Sequence, residues 1–301
     1  MRIVVTGSTG LIGQAACREL EGRGHRIHRL VHAGSKFQAP LGTYSRWDPA
    51  TEQIDPRALK GAEAVLHLAG ENLFGYWTAK KKRRIRASRV GGTDLLARTL
   101  AAMVDPPGLM LCASAVGYYG DRGDELLDEN SDPGTGFLAA VCREWEAAAG
   151  PAAEAGIRTA HMRLGIVLTP RGGALKLMLP PFRLGLGGRI GSGEQWVPWV
   201  SLDDVVGAIV HLIESPNTQG VYNVTAPNPV TNATLARTLG RVLRRPAVLP
   251  APESVVSFAA GEMAGETVLA STRAVPGRLP ESGCGFEHPQ LEQALRAALS
   301  R

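Results

Sequence analysis

Within its first thirteen residues the chain passes from an apolar run, Ile3-Val4-Val5, into Thr6-Gly7-Ser8-Thr9-Gly10-Leu11-Ile12-Gly13, and then into a segment with helical apolar spacing. Glycines also serve ordinary turns, so their spacing alone says little; the constraint comes from their place between a strand and a helix. There Gly7 permits a tight turn, Gly10 lets a ligand approach the backbone, and Gly13 allows close helix–strand packing. Thr9, Leu11 and Ile12 complete the cradle, whose backbone N–H groups and helix start are arranged to receive an anion of the pyrophosphate type.

The next two-thirds of the sequence alternates β-branched runs with helical patterns, the sign of βαβ units and a parallel sheet. Strands are expected near Arg2–Val5, Arg26–Val31, Thr43–Trp47, Ala64–Leu68, Leu109–Ala113 and Thr159–Arg163, with helices near Leu11–Arg23, Thr78–Ala102 and Phe137–Ala149. After Gly165 come Gly- and Pro-rich connections, Gly172-Gly173, Pro180-Pro181 and Leu184-Gly185-Leu186-Gly187-Gly188, which are expected to resist regular structure. A later strand at Val221–Val224 and helices near Asp203–Glu214 and Asn232–Leu243 follow. The fold class is therefore α/β, a Rossmann-type doubly wound parallel sheet with a smaller C-terminal substrate lobe. Residues 1–165 form the dinucleotide-binding domain, 201–224 return to it, and 166–200 with 225–301 form the smaller lobe.

An acid about 20 residues beyond such a glycine turn holds the ribose 2′-hydroxyl of NAD, whereas a base there accommodates the 2′-phosphate of NADP. Here His32 stands near that position, with Arg29 and Lys36 around the same strand end. The expected cofactor is NADP(H), the alternative being that these are solvated surface bases. Leu68, Ala69, Gly70 and Glu71, with Asn72, follow the fourth strand at its C-terminal end and should line the cofactor cleft. Val167, after Leu164-Gly165-Ile166, is placed for the nicotinamide end.

Composition narrows the remaining classes. Of 301 residues 44% are hydrophobic, and no apolar run approaches the roughly 18 residues that a membrane-spanning helix needs. Arg2 leads directly into the first strand and the glycine turn, leaving no separate targeting segment, so a cytoplasmic location is expected. Cys17, Cys112, Cys142 and Cys284 form no C-x-x-C pair, which argues against a zinc site or a disulfide framework; no metal is expected. A net charge of +5 spread over this length is weak support for nucleic acid, and the densest basic run, Lys80-Lys81-Lys82-Arg83-Arg84, lacks interleaved aromatic groups for stacking on bases. Thr78 is a plausible N-cap for the helix carrying it.

The glycine turn, His67-Leu68-Ala69-Gly70, Ser114 and Trp199-Val200-Ser201-Leu202-Asp203-Asp204 together resemble the extended short-chain dehydrogenases/reductases. A narrower set is similar to an atypical subgroup, the epimerase family SDR39U1/YfcH-like proteins: Gly70-Glu71-Asn72, Trp77-Thr78, Ser88-Arg89, Ser114-Ala115-Val116-Gly117-Tyr118-Tyr119-Gly120, Trp145-Glu146 and Pro181-Phe182-Arg183-Leu184-Gly185-Leu186-Gly187-Gly188. Asn223-Val224-Thr225-Ala226-Pro227 and Gly285-Phe286 are similar to that subgroup's closing domain of unknown function. The resemblance covers essentially the whole chain and implies an NADP(H)-binding Rossmann fold, with no physiological substrate established. It implies cofactor contacts from Arg84 and, as the better candidate, Arg89. It also implies that Asp48 accepts a hydrogen bond from the adenine amino group, unless Asp48 is only a turn residue before Pro49.

Enzymes of the wider superfamily carry a Tyr-x-x-x-Lys pair, in which the Lys lowers the Tyr pKa for proton transfer. The corresponding helix, Phe137 to Glu146, has neither, and Leu138 and Cys142 fall at the two positions. Ser114 remains to orient a substrate oxygen. Tyr118 or Tyr119, just beyond it, could substitute as the acid; the bland alternative is packing with one hydrogen bond. Ser114 and Tyr119 are the expected catalytic residues, and Tyr118, Arg183 and Trp196 the expected substrate contacts. Arg183 offers a planar fork to a carboxylate or phosphate, and Trp196 a stacking surface, whereas Trp199 reads as core. Asp121, Asp124 and Glu129 read as a solvated acidic loop, Asp203-Asp204 as a helix N-terminus, and His67 as a satisfied core histidine.

The leading expectation is an NADP(H)-dependent oxidoreductase or epimerase-like enzyme acting on a small polar molecule. A non-catalytic NADP(H)-binding sensor is the alternative, and an ordinary nucleotide-sugar epimerase is disfavoured by the missing pair. The expected partners are the unidentified small-molecule substrate and, in a homodimer, a second copy of the chain; neither nucleic acid nor a membrane is expected.

Overall fold

The computed structural model describes residues 1–40 and 42–300. In chain order the elements begin β1 (Arg2–Thr6), α1 (Leu11–Gly22), β2 (Arg26–His32), β3 (Tyr44–Asp48), β4 (Gln53–Ile54), β5 (Ala64–His67), α2 (Ala79–Arg86), α3 (Gly92–Ala101) and β6 (Leu109–Ala115). They continue with β7 (Leu126–Leu127), α4 (Phe137–Ala147), α5 (Gly150–Glu154), β8 (Arg158–Leu164), β9 (Ile166–Leu168), α6 (Gly173–Arg183), β10 (Trp196–Val197), β11 (Trp199–Ser201) and α7 (Leu202–Glu214). The last part holds β12 (Gly220–Val224), β13 (Val230–Thr231), α8 (Asn232–Leu243), α9 (Glu253–Ala260), α10 (Glu262–Glu266), β14 (Arg273–Ala274), α11 (Arg278–Glu281) and α12 (Leu291–Leu299).

Eight strands form one sheet in the order β12-β8-β6-β5-β1-β2-β3-β4. Every neighbouring pair is parallel except the edge pair β3/β4. The strand order reverses at β1, as a doubly wound sheet requires, and opens a crevice at the carboxyl ends of β1 and β5. Because successive strand residues face opposite sides, Ile3 and Val5 join one core with Leu20, Leu66, Val205 and Ile209. Val4 joins the other, with Leu30, Trp47, Val65 and Leu96. A further core gathers Leu175, Leu179 and Phe182 with Trp199, Leu239 and Leu295. Among the described residues no helix is long and apolar enough to cross a membrane.

Two elements depart from the expectation. The single helix expected over Thr78–Ala102 is interrupted by a π-helical turn at Ala87–Gly91, although Thr78 does cap its start by accepting a hydrogen bond from Lys81 N at 3.2 Å. Pro180-Pro181, expected to resist regular structure, lies inside α6. Each proline removes a helical N–H, but burial of Leu175, Leu179 and Phe182 against the third core compensates for the weakened ladder.

Candidate active site

β1 delivers Thr6 and the glycine turn to the crevice. Gly7 has φ of +66°, and a Cβ there would stand 2.6 Å from the Leu68 carbonyl and 2.8 Å from Ala69 N, so the first and fourth βα connections meet backbone to backbone. A Cβ on Gly13 would lie 2.2 Å from Gly7 O, against 3.2 Å for one on Gly10. The turn is closed by Gly10 N donating to Gly7 O at 2.9 Å, and the first helical bond is Gln14 N to Gly10 O. No side chain caps α1, so the N–H groups of Leu11, Ile12 and Gly13 precede any intrahelical acceptor. Thr9 and Gly10 are exposed beside them, and the buried Ser8 Oγ has no partner.

At the end of β2, His32 Nε2 lies 3.7 Å from Asp48 Oδ1, so register places these two sequence-predicted residues together. His32 Nδ1 accepts a hydrogen bond from Gly34 N, and Asp48 Oδ1 accepts one from Ala50 N. Arg29 turns away and pairs with Glu21 at 2.7 Å. Sequence reasoning missed Arg46, whose Nη1 donates to the carbonyls of Ala33 and Ser35 at 3.0 and 2.8 Å and fixes the connection after β2. Its only sequence signal was a base inside the third strand.

The π turn brings Ser88 and Arg89 to the connection after β5. Ser88 Oγ accepts from Glu71 N at 2.9 Å, and Arg89 Nη1 donates to Glu71 O at 3.0 Å and to Ile85 O at 3.3 Å. The Arg89 guanidinium also lies 5.1 Å from the Trp145 ring and alongside Gly70; burial pulls its pKa below the ordinary arginine value. Arg84 pairs with the Glu71 carboxylate, as Lys81 does at 2.8 Å. The Lys81 hydrogen bond, with both positive charges, holds the Glu71 carboxyl below the usual carboxylate range.

β6 ends in Ser114, whose hydroxyl donates to Glu146 Oε1 at 2.7 Å. Arg163, at the neighbouring end of β8, donates to both Glu146 oxygens at 2.8 Å and from Nη1 to Tyr119 Oη at 3.0 Å. Its guanidinium stacks 3.3 Å from the Tyr118 ring centroid. Burial, the largest single influence, would lower the Arg163 pKa, but the hydrogen bonds and negative charge of Glu146, together with Tyr119, outweigh it and raise it. Sequence reasoning did not assign Glu146 or Arg163 to the site, although a charged residue closing an otherwise apolar strand was the available signal. Leu138 and Cys142 face inward: a Cβ on Gly117 would lie 3.4 Å from Leu138 Cβ and 3.9 Å from Cys142 Sγ. Burial pushes the Cys142 thiol up to about 12.

Tyr119, expected as a substitute acid, is instead 0% exposed. Its hydroxyl is shared among Arg163 Nη1, Asn223 Oδ1 at 2.7 Å and Asp128 O at 2.8 Å, and burial raises its pKa to about 12. The phenol thus joins β12 to the loop after β6. Tyr118 is only half-buried. His67 is held between Thr6 Oγ1 at 2.7 Å and Thr93 Oγ1 at 3.0 Å, the satisfied core histidine expected.

The acidic loop is not simply solvated. Asp121 Oδ1 accepts from Ser271 N, Asp124 Oδ1 from Trp196 Nε1 at 2.6 Å, and Glu129 from Asn223 N, Gly277 N and Arg278 N. These carboxylates thus bind the Trp196 indole on β10, the β12 amide of Asn223 and the closing-segment amides of Ser271, Gly277 and Arg278, which local sequence spacing gave no reason to bring there. Trp196 is further covered by the Arg273 guanidinium, 4.3 Å from its ring, while Arg183 is exposed. Val167 packs with Leu68 and Leu164 on the main core. Trp199 is fully buried, and Ser201 caps α7 through Asp204 N at 2.9 Å, as the Asp203-Asp204 reading anticipated.

Residues 3–225 match the model of the NAD dependent epimerase/dehydratase family, and residues 251–298 match a domain of unknown function, DUF1731. Epimerase family protein MT2273 of Mycobacterium tuberculosis is 40% identical over 301 residues, covering 99% of this chain and 98% of that protein. Human epimerase family protein SDR39U1 is 35% identical over 300 residues, covering 98% and 99%. The crystal structure of human SDR39U1 (isoform 2) with NADPH superposes with a TM-score of 0.90 at 33% identity over 100% of both chains. A glycine-cradled crevice on a doubly wound sheet, joined to this closing domain, thus makes the chain a member of the NAD dependent epimerase/dehydratase family, in its SDR39U1-like branch.

Proposed function

We propose that the chain binds NADP(H) at the glycine turn and is an NADP(H)-dependent oxidoreductase or epimerase-like enzyme acting on a small polar molecule. The observation that carries the binding assignment is the cradle itself. Gly7 and Gly13 let the turn pack against Leu68 and against its own backbone, Gly10 leaves its outer side without a side chain, and the first-turn N–H groups of α1 await an acceptor. His32, a base at the end of β2 where NAD-binding chains carry an acid, supports a 2′-phosphate. Arg89 would meet the middle of the cofactor, since among the described residues only its Nη1 donates a hydrogen bond. NADPH crystallised with human SDR39U1 is consistent with this choice.

When bound, the nicotinamide supplies or accepts a hydride. The chain's own contribution centres on Ser114. Its hydrogen is committed to Glu146, so its oxygen is free to accept and a substrate hydroxyl is the matching donor. Arg163 keeps Glu146 in place. Leu138 has no ionisable proton and burial holds the Cys142 thiol protonated, which favours a second reading as an NADP(H)-binding sensor and disfavours an ordinary nucleotide-sugar epimerase. Titration should give a lower Kd for NADPH than for NADH; a lower Kd for NADH overturns the cofactor assignment. Screening carbonyl and alcohol panels for NADPH consumption or formation separates enzyme from sensor: turnover abolished by Ser114→Ala supports the enzyme, and no turnover alongside tight NADPH binding supports the sensor.

A further inference from the structure

Beside α1, between the end of β9, the start of α7 and α12, lies a cavity of about 370 Å³, adjoined by a recess of about 220 Å³. Gly7, Gly10, Ser114, Glu146 and Arg89 line neither space. Arg18 and Arg171 line both. Neither guanidinium has a hydrogen-bond or ion-pair partner among the described residues. Leu11, Gln14, Ala15 and Arg18 recur at three- and four-residue steps, so one face of α1 forms the recess wall.

The larger cavity differs in chemistry between its junction with the recess and its far side. At one end the arginines present two unneutralised cations whose planar forks match a carboxylate or phosphate. At the other, Leu168, Leu202, Ala294 and Ala298 provide an apolar wall, the alanines standing one turn apart on α12 and leaving room by their small size. The polar groups between are occupied: Thr169 Oγ1 accepts from Arg171 N at 3.4 Å, Ser201 Oγ caps α7, and the Asp203 carboxylate is faced by His288 Nε2 at 3.4 Å. A two-base end thus faces a wall that includes the buried residues Leu168, Leu202 and Ala294. The volume also falls within the range of small-molecule pockets, roughly 300–1,000 Å³.

We propose that this space is a binding site for a small amphipathic anion, with its carboxylate or phosphate head on Arg18 and Arg171 and its short apolar body against Leu202, Ala294 and Ala298. Calorimetric titration of the full chain with octanoate, octyl phosphate, octanol and inorganic phosphate tests it. At least one of the two amphiphiles should bind at least tenfold more tightly than octanol or phosphate, the tighter one identifying the head group. Arg18→Gln with Arg171→Gln should weaken it at least tenfold, while Ala298→Leu should do so by filling the apolar end. Both variants should keep the thermal unfolding midpoint within about 2 °C, which separates lost binding from lost fold. Absence of amphiphile binding, or binding equally tight in the arginine double variant, overturns the proposal.

Discussion

Glu146 on α4 and Arg163 at the end of β8 meet through two hydrogen bonds of 2.8 Å each, with only 12% and 4% of their side chains exposed. Removing one partner leaves the other charge buried and uncompensated. Glu146→Ala should therefore lower the free energy of unfolding by about 3–5 kcal/mol, and Glu146→Ala combined with Arg163→Met should recover part of that loss. Urea denaturation of the wild type, both single variants and the double variant measures the coupling; additive losses would contradict it.

The glycine turn contains two positions that look alike in sequence and differ in space. A Cβ on Gly13 collides with Gly7 O at 2.2 Å, whereas one on Gly10 stands 3.2 Å away. Gly13→Ala should cost about 1–3 kcal/mol of stability through enforced backbone movement. Gly10→Ala should cost less than about 1 kcal/mol yet weaken NADPH at least tenfold, because its methyl intrudes on the ligand side. Thermal unfolding and cofactor titration on the same preparations distinguish the two effects.

His32 should discriminate between the two dinucleotides. His32→Ala is expected to weaken NADPH roughly tenfold, about 1.4 kcal/mol, while changing NADH affinity less than about twofold. Equal losses for both would move the 2′-phosphate contact elsewhere in the crevice.

The buried His67 gives stability a defined acid limb. Burial pulls its pKa from 6.5 to about 4, with a smaller contribution from the nearby His161, itself lowered by burial. The unfolded chain binds the proton more readily, so His67's contribution is intact above pH 6.5 and is lost as pH falls toward 4. The full effect is about 3 kcal/mol. The unfolding free energy of His67→Gln should decline less steeply than wild type between pH 6.5 and 4; parallel slopes would assign the acid limb to other groups.

Local patterns carried the strands and the glycine turn because a buried parallel strand and a strand–turn–helix junction both leave signatures within a few residues. Other features depended on partners distant in the chain. The basic helix reads alike whether it is α-helical throughout or contains a π turn at Ala87–Gly91, yet that turn brings Arg89 to Glu71. The helix through Pro180-Pro181 draws on packing rather than propensity. The loop acids looked solvated because their acceptors' partners, such as Ser271 N for Asp121, lie 150 residues away. Tyr119 looked available for chemistry because nothing local announced Asn223 or Arg163 as its partners.

The first amides of α4 show a similar dependence on distant residues. Phe137 N and Leu138 N donate to the Glu266 carboxylate, 129 and 128 residues further along. At roughly 5–20 residues added per second during synthesis, α4 would wait on the order of ten seconds for that cap to emerge. The helix that carries Glu146 to Ser114 therefore gains this N-terminal acceptor only once Glu266 has been made, so a chain stopped before Glu266 would leave both amides to water.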